Sequence, residues 1–229
     1  MTEGPDLYGD GTDTTAGPAP GRGALTYRFE QALVYACHVH GGHTRKGTRI
    51  PYIGHLLAVA SLVIEDGGDE DEAIAALLHD AVEDQGGKPR LDDIRARFGD
   101  RVARIVEGCT DADTVPKPEW LPRKRCYVRH LRSAPPEVLR VSCADKLHNA
   151  RAILADYRTL GDALFPRFKG GKDGTLWYYA CLVNVFRERR PEGLAEELER
   201  VVRELRRQAA PTLTWPESEE ESPTSAGAL

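Results

Sequence analysis

Apolar positions recur every three or four residues along most of this chain, and no stretch shows the sustained every-second-residue alternation of a half-buried strand. That periodicity predicts helices over 26–40, 53–66, 69–83, 91–98, 100–108, 122–133, 136–156, 173–190 and 192–208, an all-α architecture. Gly67-Gly68, Gly86-Gly87, Pro116 to Pro122 and Gly170-Gly171 fall between them, where residues that end helices are expected. Residues 1–23, rich in Gly, Pro, Thr and Asp, and residues 210–229, with the run Pro216-Glu217-Ser218-Glu219-Glu220-Glu221-Ser222-Pro223, lack the pattern and read as disordered tails, the second one acidic. A single domain over 24–209 is expected, because no internal repeat or second composition regime divides the chain.

Composition narrows the classes. No uninterrupted apolar segment approaches the roughly 20 residues of a membrane span, and the N-terminus carries acids and glycines where a leader would carry a basic region and an apolar run. A cytoplasmic protein with no membrane partner is expected. Cys37, Cys109, Cys126, Cys143 and Cys181 stand singly, without paired spacing, and read as buried structural residues in a reducing compartment. The net charge of −5 argues against general nucleic-acid binding, which needs concentrated Lys and Arg. Basic islands persist at Arg45, Lys46 and Arg49, at Arg123, Lys124 and Arg125, and at Lys146 and Arg151; each is either a solvated patch or a seat for a small polyphosphate.

The chemistry concentrates in Leu77-Leu78-His79-Asp80-Ala81-Val82-Glu83-Asp84. Residues three and four apart share a helical face, so Glu83 lies one turn beyond His79 and Asp84 one turn beyond Asp80. Pro51-Tyr52-Ile53-Gly54-His55 opens another helix with a histidine in its first turn, and Ala144-Asp145-Lys146-Leu147-His148-Asn149 sits inside a third. His55, His79, Asp80 and Asp145 make a mixed N and O donor set suited to Mn²⁺, Fe²⁺ or Zn²⁺, with positions left over for water and substrate oxygen. Phosphoryl transfer to water needs such a metal together with a carboxylate within reach of the proton, which Glu83 and Asp84 offer. Consecutive helical positions point apart, so one is read as the base and the other as fixing the water, with the order left open.

Four motifs in this order resemble the metal-dependent HD-domain hydrolases of the RelA/SpoT type, specifically the small single-domain alarmone hydrolases. They are His40-Gly41-Gly42-His43-Thr44-Arg45-Lys46, Pro51-Tyr52-Ile53-Gly54-His55, His79-Asp80-Ala81-Val82-Glu83-Asp84 and Ala144-Asp145-Lys146-Leu147-His148-Asn149, within a resemblance that spans about 27–179. It implies a single helical bundle around a metal site, Mn²⁺ as the metal, and removal of the 3′-diphosphate from guanosine tetra- or pentaphosphate to leave GDP or GTP. It also implies His55, His79, Asp80 and Asp145 as ligands, Glu83 and Asp84 at the attacking water, Arg45 against the base, and Lys46 and Asn149 on the nucleotide.

This sequence departs from the usual pattern at His43, Leu56 and Lys146, and carries one extra residue between Arg45 and His55. The departures touch the nucleotide-facing loop, so another nucleotide, such as an adenosine alarmone or NADPH, is the alternative substrate. A metal or nucleotide regulator without turnover is the alternative of a different class. His38, His40 and His130 read as packing or surface residues, and His148 as packing or support for the site. Tyr178 and Tyr179 read as aromatic packing that could also close a pocket, Lys172 as surface, and Asp111 to Pro122 as either a rim over the site or a plain connector. No feature fixes an oligomeric state.

Overall fold

Thr26 and Asp69 open two neighbouring helices by the same device, a side-chain oxygen that accepts from a backbone N–H of the first turn. At Asp69 the device is reciprocal: Glu72 reaches back to the Asp69 N–H, completing a capping box. The structure is a computed structural model and describes residues 24–84, 86–111, 118–190 and 192–221. Its helices are α1 (Tyr27–Val39), α2 (Ile53–Glu65), α3 (Glu70–Leu78), α4 (Ala81–Asp84), α5 (Gly87–Phe98), α6 (Asp100–Cys109), α7 (Trp120–Leu131), α8 (Pro136–Leu160), α9 (Gly171–Arg189) and α10 (Leu194–Ala209), with a 3-10 turn over Gly161–Arg167 before α9. The fold is all-α; among the described residues the only extended pairing is an isolated bridge between Thr44 and Pro51, which closes the loop between α1 and α2.

Helix α3 occupies the centre. Ala73 to Leu78 are each fully buried, the signature of a helix that is apolar all round. It packs against α1, α2, α6 and α8, so its C-terminal end is held from several sides. The long α8 runs past it and brings Asp145 to that same end. Helix α10 lies along α8 and α9 on a stripe of Leu198, Val202, Leu205 and Ala209, with Arg200, Arg203 and Arg207 turned to solvent.

Three expectations need correction. The helix predicted over 69–83 breaks at His79 and Asp80, because the His79 ring Nδ1 lies 2.8 Å from the Ala76 carbonyl, the acceptor that a continuing helix would give to the Asp80 N–H. Residues 210–221 do not extend as a free acidic tail. Buried Arg206 donates to the carbonyls of Leu213 and Thr214, Trp215 Nε1 donates to Asn184 at 2.7 Å, and buried Glu219 pairs with Arg132 at 3.0 Å, so this segment straps α7, α9 and α10. Of the cysteines, Cys109, Cys143 and Cys181 are buried as expected, but Cys37 and Cys126 are exposed. Residues 1–23 and 222–229, and residues 112–117 of the proposed rim, lie outside the described residues. Among the described residues, no helix is long and apolar enough to cross a membrane.

Candidate active site

The break after α3 turns His79 and Asp80 toward the first turn of α2 and the middle of α8. There His55 Nε2 lies 3.3 Å from Asp145 Oδ1 and 3.7 Å from Asp80 Oδ2, while His79 Nε2 lies 3.1 Å from Asp80 Oδ2 and 3.6 Å from Asp145 Oδ1. Both Nε2 atoms are buried, and neither has a hydrogen-bond partner among the described residues. Each ring is oriented through its other nitrogen: His79 Nδ1 faces the Ala76 carbonyl, and His55 Nδ1 lies 2.8 Å from His148 Nδ1. A proton on Nδ1 of each ring satisfies those contacts and leaves both Nε2 atoms facing the carboxylates, the arrangement found behind metal-ligating imidazoles. His55, His79 and Asp80 place one donor atom each within 4.8 Å of one another, and Asp145 adds a fourth. Orphaned imidazole nitrogens beside two carboxylates fit a divalent cation.

The surroundings hold the carboxylates in place. Tyr52 donates its hydroxyl to Asp80, Asn149 donates to Asp145 Oδ1, and Lys146 Nζ lies 2.5 Å from Asp145 Oδ2. Burial opposes ionisation of Asp80 and Asp145, yet His79 beside Asp80 and Lys146 beside Asp145 hold both carboxyls below the ordinary range. Burial pulls the His55 pKa down despite Asp145; for His79 the two carboxylates outweigh burial and push it up. His148 is held neutral by burial and by His55, with its pKa down to about 4.

Above this cluster opens a cavity of about 720 Å³. Arg45 and Lys46 enter it from the loop between α1 and α2, Arg123 and Lys124 from α7, Lys146 and Asn149 from α8, and Arg167 and Lys169 from the stretch before α9. Seven of the lining residues are Lys or Arg, against the acids Glu83 and Asp156, so a chain of net charge −5 has gathered positive charge around one cavity beside the metal cluster. Such a site suits a compact polyanion. Arg45 donates to Asn149 Oδ1 at 2.7 Å, linking the basic loop to Asp145 through one amide.

The structure therefore brings together His55, His79, Asp80, Asp145, Glu83, Arg45, Lys46 and Asn149 around one cavity and its floor; the Asp84 side chain lies outside the described residues. Lys172 pairs with Asp162 away from the cavity. Tyr52 stands one turn before His55 in the Pro-Tyr-x-x-His spacing, and nothing in that spacing alone marks it as a partner of Asp80. Arg167, Phe168 and Lys169 carry no motif and reach the site only because the 3-10 turn packs against the basic loop, with Arg167 carbons close to Gly47. His40 is buried, and neither of its ring nitrogens has a partner among the described residues.

The HD domain family model matches residues 32–167, more than half of the chain. The mouse MESH1 guanosine-3′,5′-bis(diphosphate) 3′-pyrophosphohydrolase is 40% identical over 132 residues, covering 56% of this chain and 71% of the mouse protein. Among solved structures, a metazoan ortholog of SpoT that hydrolyses ppGpp superposes with a TM-score of 0.66 at 24% identity, over 79% of this chain and 96% of the other, which speaks to the fold. A Listeria monocytogenes protein superposes with a TM-score of 0.59 at 31% identity, over 65% of this chain and 96% of the other.

Proposed function

Because the chain belongs to the HD domain family, we propose that it is a metal-dependent hydrolase that removes the 3′-diphosphate from guanosine tetraphosphate or pentaphosphate, giving GDP or GTP and pyrophosphate. The observation that carries this reading is the pair of orphaned, buried imidazole nitrogens facing Asp80 and Asp145 at the floor of a cavity lined by seven cations. His55, His79, Asp80 and Asp145 would hold the metal, and the mixed N and O donor set suits Mn²⁺. A divalent ion there supplies polarisation of a phosphate oxygen and acidification of water.

The chain's own residues account for the rest. Glu83 lines the cavity and takes the proton from the attacking water; Asp84, next to it in sequence, fixes that water. Water attacks phosphorus, the bond from phosphorus to the 3′ oxygen breaks, the 3′ oxygen leaves with the nucleoside and is protonated, and the oxygen from water departs in pyrophosphate. Arg45 presents a planar guanidinium at the base, held by its bond to Asn149 Oδ1, and Lys46 meets the nucleotide beside it. Tyr52 and Asn149 keep Asp80 and Asp145 from rotating, which fixes where the substrate phosphorus must sit.

The test is a substrate panel of guanosine tetraphosphate, its adenosine counterpart and NADPH, compared by kcat/KM with Mn²⁺ present. A clear preference for guanosine tetraphosphate is expected. A preference for either other nucleotide keeps the hydrolase but replaces the substrate, and no turnover of any of the three refutes the reading.

A further inference from the structure

We propose that Tyr178, Lys124 and Lys146 form a subsite for the terminal phosphate of the 3′-diphosphate, the part of the substrate that leaves as pyrophosphate. This rests on the function proposed above and assigns a role that the motifs do not. Tyr178 lines the cavity and is 6% exposed, and its hydroxyl is buried with no partner among the described residues. A buried hydroxyl in that condition lowers stability unless something else accepts its hydrogen bond. Lys124 Nζ lies 4.8 Å from the centre of the Tyr178 ring, so a cation borders the same corner of the cavity.

Charge accounting points the same way. Asp111 is nearly enclosed and accepts from both Arg123 and Lys124 at 2.5 Å, so among the described residues two largely enclosed cations share this carboxylate. Lys146 is paired with Asp145 through Oδ2, while the same carboxylate turns Oδ1 toward the two imidazole nitrogens. With Asp145 committed to a metal, Lys146 too lacks a full counter-charge among the described residues. Among the described residues these largely enclosed cations outnumber the carboxylates that meet them, and an anion entering the cavity offsets that surplus. Lys146 sits one carboxylate away from the metal cluster, so the anion it faces is the phosphate next beyond the one under attack. Phosphate oxygens accept from the Tyr178 hydroxyl and both ammonium groups at once.

Tyr178→Phe isolates the claim, because it removes a hydroxyl that makes no bond within the described protein. Inorganic pyrophosphate and GDP, the two products, are titrated calorimetrically into the Mn²⁺-loaded wild type and variant, and thermal melting of both is recorded. The subsite predicts that Tyr178→Phe binds pyrophosphate about tenfold more weakly, the worth of one hydrogen bond to a charged acceptor. It also predicts unchanged GDP affinity and a melting temperature no lower than wild type. Pyrophosphate affinity within twofold of wild type, or weakening confined to GDP, overturns it. Turnover of guanosine tetraphosphate by the same wild-type preparation reports separately on the proposed function. An active enzyme with unaltered pyrophosphate binding in the variant sinks only the subsite. An inactive one whose variant still loses pyrophosphate sinks only the function.

Discussion

Trp120 lines the cavity from the start of α7 and rests on two glycines at the start of α9, so the wall of the site can be perturbed by a single methyl group. A Cβ at Gly170 would stand 2.5 Å and 2.6 Å from Trp120 Cζ2 and Cη2. Carbon atoms settle at about 3.5–4.0 Å, so the indole must retreat by about 1 Å or the helix must shift. Overpacking of that size costs about 1–3 kcal/mol. The backbone itself raises no objection: Gly170 has φ −80° and ψ −4°, a right-handed conformation that alanine adopts freely. Where the space is open, a Gly→Ala change at such a position stabilises by about 0.4–1 kcal/mol, because it narrows the unfolded ensemble. Gly170→Ala should therefore change sign with its neighbour, destabilising the wild type but not Trp120→Leu, with a coupling of about 1.5–4 kcal/mol. Urea denaturation of the four proteins of the cycle, followed by far-UV circular dichroism, measures it. Equal destabilisation in both backgrounds would show that the indole does not occupy the space in front of Gly170 and would remove Trp120 from the cavity wall.

Three further outcomes are expected. Glu83→Gln should lower kcat by about 10²–10⁴-fold with unfolding unchanged, as loss of a general base requires; near-normal turnover would exclude Glu83 from that role. Burial holds the His40 pKa down to about 4 from its ordinary 6.5, so the unfolded chain takes up a proton there more readily than the folded one. Stability from this source is complete above the unfolded value and is lost as pH falls through 6.5 toward 4, by up to ~3 kcal/mol. Denaturation of His40→Phe at stepped pH should lack that portion of the decline, and parallel curves for variant and wild type would contradict it. Arg206→Met should cost about 1–3 kcal/mol and shift Trp215 fluorescence to the red, because it strands the Leu213 and Thr214 carbonyls that hold the strap; an unshifted spectrum would show that residues 210–221 do not depend on Arg206.

What could be read in the sequence was whatever depends on local spacing. The apolar period marked the helices, and the close spacing of His79, Asp80 and Glu83 in sequence drew attention to one region even though the helix that was expected to carry them breaks at His79 and Asp80. The strap over 210–221 was not legible, because it is held by scattered side-chain contacts to distant positions, such as Trp215 to Asn184 and Glu219 to Arg132, that leave no periodic trace. The break at His79 was hidden for a related reason: leucine and alanine on both sides favour helix, and only the ring's claim on the Ala76 carbonyl overrides them. Lys146 looked like a departure in a nucleotide contact, but here it pairs with Asp145 in the wall of the cavity. Tyr178 was readable as packing that could also close a pocket, but not as a hydroxyl in want of a partner, since whether a hydroxyl finds one is decided by residues far away in the chain.

The central claim is that His55, His79, Asp80 and Asp145 hold a metal that drives hydrolysis of guanosine tetraphosphate. The most direct measurement strips the protein of metal, restores Mn²⁺ stepwise, and follows release of GDP and pyrophosphate beside bound metal, with Asp80→Ala in parallel. Turnover that rises with one equivalent of tightly bound Mn²⁺ and is lost, together with that binding, in Asp80→Ala is the predicted result. Full turnover by stripped protein, or by Asp80→Ala without bound metal, would contradict it.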